Sequence, residues 1–185
     1  MSVSWFYLVL STQSSVLFVD MPRVYVSIGS NIDRERNIRG ALHDLRERYG
    51  NLVCSRVYET PALGFAGDPF YNLAVAFDTT DSVDQVAREL ARIESAHGRR
   101  RDGPPKYSAR TLDLDMLLYG DLVRHDGGLD IPRGEITERD FVLGPLAEIA
   151  PDLKHPETGE TFEAMWTRFR RSHPDAALTP VSFAD

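Results

Sequence analysis

Arg110-Thr111-Leu112-Asp113-Leu114-Asp115-Met116-Leu117-Leu118 alternates apolar and acidic side chains over its middle and becomes wholly apolar at its end. Laid out as a strand, it sends Leu112, Leu114 and Met116 to one face and Asp113 and Asp115 to the other. The two aspartate Cα atoms then stand about 6.6 Å apart, two residues at a rise of about 3.3 Å, so both carboxylates reach a common cation. Aspartate is depleted in strands and like charges on one face repel, so this pair reads as a site rather than as solvated surface. Oxygen-only ligands suit Mg²⁺, which takes one or two carboxylates together with water and substrate phosphates.

Upstream of this strand the pattern supplies the rest of a sheet. Val24, Val26 and Ile28 alternate in a β-branched strand ending at Gly29; Ser30 and Asn31 are expected to cap a helix with Ile38, Ala41, Leu42 and Leu45 on one side and Gly50 at its end. Leu52–Tyr58 reads as a second strand and Tyr71–Phe77 as a third, separated by a loop with Pro61, Gly64, Gly67 and Pro69. Ser82 caps a second helix with Val83, Val86, Leu90 and Ile93 inward, and Thr111–Tyr119 closes the series as a fourth strand. The order β-α-β-β-α-β is the α+β, ferredoxin-like split unit: an antiparallel sheet with both helices on one face and the other face open to ligand. Beyond it, Leu122-Val123 and Leu129–Ile131 read as short strands, Phe141–Ile149 and Thr161–Phe169 as helices, and the last dozen residues as loosely ordered.

Between the second helix and the fourth strand lies Gly98-Arg99-Arg100-Arg101-Asp102-Gly103-Pro104-Pro105-Lys106-Tyr107-Ser108-Ala109-Arg110. Five cations face a single acid over residues 99–110, in a chain whose formal net charge is -7. A concentrated basic loop beside a carboxylate pair fits a polyphosphate, neutralised by metal on one side and by guanidinium groups on the other. Neither a Gly-x-x-x-x-Gly-Lys-Ser/Thr loop nor a Gly-x-Gly-x-x-Gly run occurs, so phosphate binding falls to side chains. The five histidines show no metal-ligand spacing, and no nucleophile elbow is present.

At 185 residues, 42% of them hydrophobic and 26% charged, the chain fits one domain with a short appendage. The acidic balance argues against non-specific nucleic-acid binding. Cys54 is the single cysteine, which excludes an internal disulfide and fits a cytoplasmic protein. Residues 1–20 carry no charge before Asp20, yet the polar run Ser11–Ser15 divides them, so they read neither as a signal sequence nor as a membrane span. We expect them to be an extension outside the fold, with Met21 as the natural start, 21–170 as the functional domain and 171–185 as a loose tail.

Six motifs in order resemble one family, the 6-hydroxymethyl-7,8-dihydropterin pyrophosphokinases of folate biosynthesis. They are Ile28-Gly29-Ser30-Asn31, Tyr58–Gly64, Pro69–Asn72, Gly98–Arg101, Arg110–Asp115 and Glu138–Pro151, within a match running from about Val24 to Pro156. The resemblance implies transfer of pyrophosphate from ATP to the pterin hydroxymethyl group with release of AMP. It implies that Asp113 and Asp115 hold two Mg²⁺ ions, that Arg99, Arg101, Lys106, Arg110, Arg133 and Arg139 bind phosphate, and that Arg99, Arg101 and Asp115 act in catalysis, Asp115 by taking the hydroxyl proton. Thr60, Pro61 and Leu63 would line the pterin, Asn72 would pair with its edge, and Phe70, Tyr107 and Phe141 would give aromatic walls. Two positions depart from the family pattern: Tyr107-Ser108-Ala109 stands where Trp-Gly-Pro is usual, and Arg133 where a histidine is usual. The expected partners are ATP and a reduced pterin, with no nucleic acid and no membrane, and a monomeric state. Two alternatives stay open: a non-catalytic pterin- or nucleotide-binding descendant, and a nucleic-acid module stacking bases on its open sheet, which the central acids disfavour.

Overall fold

The computed structural model describes residues 21–64, 66–99, 109–174 and 178–183. Its centre is β1 (Arg23–Ser30), buried at every residue after the first. β1 pairs antiparallel with β4 (Phe70–Asp78) on one side and with β5 (Asp113–Tyr119) on the other. The sheet order is β5-β1-β4-β3-β6, where β3 is Tyr58–Thr60 and β6 is Thr179–Pro180, and β2 (Val53–Cys54) also pairs with β4; the run β5-β1-β4-β3 is what the β-α-β-β-α-β reading requires.

The expected second strand is two short ones, β2 (Val53–Cys54) and β3 (Tyr58–Thr60). Ser55 interrupts the ladder: its hydroxyl, rather than a backbone carbonyl, accepts from Ala74 N at 2.9 Å. The helix α1 (Arg34–Tyr49) starts later than expected, after Asp33 in the left-handed conformation, and neither Ser30 nor Asn31 caps it. Those two side chains tie distant segments together instead. Ser30 Oγ donates to the Thr111 carbonyl at 2.5 Å, while Asn31 Oδ1 accepts from Arg110 N at 2.7 Å and its Nδ2 donates to the Asp68 carbonyl at 3.1 Å. In α2 (Val83–Ala96) the expected cap is present, with Ser82 and Gln85 bonded reciprocally.

Both helices bury their apolar stripes against the face carrying Val24, Val26, Ile28, Leu73, Val75, Phe77, Leu114 and Met116. The other face is not left wholly open. The helix α3 (Glu135–Glu138) leads into α4 (Asp140–Ile149), which packs with α5 (Phe162–Ser172) on Tyr25, Ala76, Leu117 and Leu118. A one-residue register step between Tyr25 and Val26 lets Leu117 and Leu118 both turn into this second core. One end of the second face is therefore covered by helices and the other end carries the acids.

Three smaller expectations change. The pair Leu122-Val123 and Leu129–Ile131 reduces to one bridge between Arg124 and Ile131. The helix α5 runs to Ser172, past the expected boundary at 170. The tail is not loose where it is described: β6 (Thr179–Pro180) pairs with the outer edge of β3, Val181 N donates to the Val57 carbonyl at 3.0 Å, and the Phe183 ring meets Tyr71 edge-on.

Candidate active site

The register of the sheet assembles the site. Asp113 lies opposite Gly29 and Asp115 opposite Ser27, while Gly29 lies opposite Asn72 on its other side. Asn72 in turn pairs with Tyr58, and its amide Nδ2 donates to Thr60 Oγ1 at 2.7 Å. Across the face the chemistry passes from paired carboxylates, over small residues, to a buried amide. Gly29 keeps this floor low: a Cβ there would stand 3.1 Å from Asn72 Oδ1 and 3.9 Å from Asp113 Cβ. Asn72 is only 5% exposed, and Thr60 supplies the partner that a buried amide needs.

The walls come from loops on both sides. Arg34 ties the two flanks of the 61–69 segment together, donating to the Pro69 carbonyl at 2.8 Å, pairing with Glu59 at 2.8 Å and lying over the Tyr71 ring. Pro61, Leu63 and Phe70 line the cavity from that side, and Glu138, Arg139 and Phe141 from the α3–α4 junction. The space so enclosed is about 350 Å³. Four guanidinium groups, those of Arg99, Arg110, Arg133 and Arg139, and four carboxylates, those of Asp113, Asp115, Glu135 and Glu138, line it among the described residues.

These charges are ordered. Asp113 is gripped by Arg99 on one carboxylate oxygen and by Arg110 on the other. Arg99 is itself held by Glu94, whose carboxylate also accepts from Leu114 N at 2.8 Å. Asp115 meets Arg133, with Nη2 2.9 Å from Oδ1, and Arg133 Nε lies 2.9 Å from Glu135 Oε2. Removal from water, and next the neighbouring Asp113 carboxylate, push the Asp115 carboxyl up to about 7 despite Arg133.

Among the described residues no three His, Cys, Asp or Glu side chains converge as a ready-made metal cage. A metal held here by Asp113 and Asp115 would draw its remaining ligands from water and substrate, which is how Mg²⁺ is bound beside phosphates. The donor set, two carboxylates on one strand face with oxygen atoms only, fits that ion and does not fit zinc or copper.

Of the residues singled out in the sequence, Thr60, Pro61, Leu63, Phe70, Asn72 and Phe141 share this cavity with Arg99, Arg110, Asp113, Asp115, Arg133 and Arg139. Arg101, Lys106 and Tyr107 lie outside the described residues. Sequence reasoning missed Ser27, Gly29, Glu94, Glu135 and Glu138. Glu94 had a signal, an acid one turn after Leu90 and next to Ile93, on the buried side of a helix.

The family model for 7,8-dihydro-6-hydroxymethylpterin-pyrophosphokinase (HPPK) matches residues 25–151, well over half of the chain. The chain belongs to the HPPK family. Among curated relatives, the 2-amino-4-hydroxy-6-hydroxymethyldihydropteridine pyrophosphokinase of Pseudomonas aeruginosa is 38% identical over 139 residues, covering 73% of this chain and 85% of the relative. The enzyme of the same name from Methylorubrum extorquens is 39% identical over 137 residues, covering 72% and 85%. In fold, the chain is similar to the HPPK-DHPS structure of Plasmodium falciparum with STZ-DHP, with a TM-score of 0.66 at 14% identity over 84% of this chain and 42% of that one. The chain thus spans less than half of that longer HPPK-DHPS protein, and at this identity the likeness carries the fold alone.

Proposed function

We propose that the chain transfers the pyrophosphoryl group of ATP to the hydroxymethyl oxygen of 6-hydroxymethyl-7,8-dihydropterin, giving AMP and the pterin diphosphate for folate synthesis. ATP is the co-substrate of the HPPK family. The observation that carries this reading is one cavity with Asp113 and Asp115 among arginines on one side of Gly29 and the Thr60–Asn72 pair on the other.

Asn72, braced by Thr60, offers its amide to the polar edge of the pterin, while Phe70 and Phe141 give the flat ring apolar walls and Pro61 and Leu63 close its side. Arg99, Arg110, Arg133 and Arg139 bind the triphosphate, with Arg101 and Lys106 of the basic loop and Tyr107 as a second aromatic wall completing the set. Mg²⁺, two ions when bound through Asp113 and Asp115, supplies positive charge to the triphosphate oxygens. The pterin hydroxyl oxygen forms a bond to the β-phosphorus as the bond from that phosphorus to the α,β-bridging oxygen breaks, and AMP leaves with the bridging oxygen. Asp115 takes the hydroxyl proton, and Arg99 and Arg101 meet the charge that gathers on the oxygens.

We read the catalytic unit as starting at residue 21 and running past 170 through α5, with residues 1–20 outside it, monomeric, cytoplasmic, and making no use of nucleic acid or membrane. The single cysteine and the net charge of -7 support this reading, and no described helix is long and apolar enough to cross a membrane. The test is to incubate the protein with ATP, Mg²⁺ and the pterin and separate the nucleotides: AMP that forms only with pterin is expected. ADP would mean another phosphoryl chemistry, and a folded protein that makes no AMP would be a binding-only descendant.

A further inference from the structure

The two aspartates of the site are neutralised unequally. Asp113 sits between Arg99 and Arg110, side chains that the strand lead-in and α2 hold close. Asp115 depends on Arg133, which comes from the segment before α3 and has a second carboxylate within reach in Glu135, 2.9 Å from its Nε. Arg133 can therefore leave its aspartate while keeping the Glu135 carboxylate beside it. Its backbone is separately fixed, N donating to the Leu117 carbonyl at 3.0 Å, so the side chain alone is free to exchange.

Resting on the functional reading above, we propose that Arg133 competes with a divalent cation for Asp115 and gives it up to phosphate oxygens, so that Asp115 becomes a metal ligand only in the company of nucleotide. Among the described residues the cavity lining carries four guanidinium groups and four carboxylates. A metal ion arriving alone adds positive charge beside guanidinium groups already seated on the carboxylates. ATP arriving with two Mg²⁺ ions adds no net charge, and its phosphates give Arg133 a bidentate partner in exchange for Asp115. Glu135 keeps the guanidinium close during the exchange.

The experiment measures Mn²⁺ binding by electron paramagnetic resonance to the full chain, with and without α,β-methylene-ATP, for wild type, Arg133→Gln and Arg133→Met. The second variant keeps the apolar stem and guards against a packing defect. Without nucleotide, both variants are expected to bind Mn²⁺ about tenfold tighter or more than wild type, because a unit charge beside the ligand has gone. The gain in affinity on adding the analogue is expected to shrink in both variants, and by linkage the gain in analogue affinity on adding Mn²⁺ shrinks equally. Equal nucleotide-free affinities in wild type and both variants would overturn the role of Arg133 while leaving the site intact. Absence of Mn²⁺ binding to wild type even with the analogue would instead overturn the metal assignment on which the inference rests.

Discussion

Asp113 and Asp115 are two residues apart on one strand face, yet their surroundings give them different properties. Asp113 is pinned by two guanidinium groups; Asp115 is pushed up to about 7, first by removal from water and then by Asp113. Replacing Asp113 by Asn removes the proposed metal ligand and weakens a double ion pair, and kcat is expected to fall at least about a hundredfold in steady-state assays. Near-normal turnover in Asp113→Asn would sink the metal assignment. Asp115 makes a second prediction with a definite sign. Its carboxyl is raised in the folded protein, so between about pH 4 and pH 7 the fold binds a proton that the unfolded chain has released, and stability falls as pH rises through that window. Asp115→Asn is therefore expected to raise the melting temperature, more at pH 8 than at pH 5, while turnover is lost. A lower melting temperature at pH 8 would contradict the account.

At the scale of elements, periodicity was legible where a segment has one wet face and one dry face. The stripe Ile38-Ala41-Leu42-Leu45 named α1 though not its start, the Ser82 cap with Val83, Val86, Leu90 and Ile93 named α2, and the alternation in 112–116 named the acid face. It failed where the deciding contact is distant in sequence. Nothing local says that Ser55 will borrow Ala74 N and split a strand, or that Thr179–Pro180 will find the edge of β3. The helix α4 is apolar nearly all round, since the sheet and α5 take opposite sides of it; its sequence announces burial without naming the layer it covers. The site followed the same rule: motifs marked the residues with distinctive chemistry, while the roles of Gly29 and Glu94 come from distant neighbours, Asn72 across the sheet for the one and Leu114 N for the other. Because α4 brings Phe141 and Arg139 to the cavity, Leu146→Ala, at a fully buried α4 position, is expected to cost about 2–5 kcal/mol in denaturant unfolding. Ser82→Ala, removing only a cap, should cost about 1 kcal/mol by the same measurement. If the two losses came out equal, the second core would not be the support we describe.

At the scale of the whole molecule, an acidic chain with a net charge of -7 gathers arginines into one cavity built on the second face of a split β-α-β sheet. The helices α1 and α2 stabilise that sheet from behind, and α4 and α5 close half of its front, leaving room for a flat ring beside a polyphosphate. For the proposed monomer, light scattering is expected to give a mass near 20.8 kDa, and a stable species of twice that mass would contradict it. The central claim is the bond that breaks. Phosphorus NMR of a reaction holding the protein, Mg²⁺, ATP and 6-hydroxymethyl-7,8-dihydropterin reads it directly. The account predicts equal amounts of AMP and a pterin-linked diphosphate, and ADP, or AMP accompanied by free pyrophosphate, would contradict it.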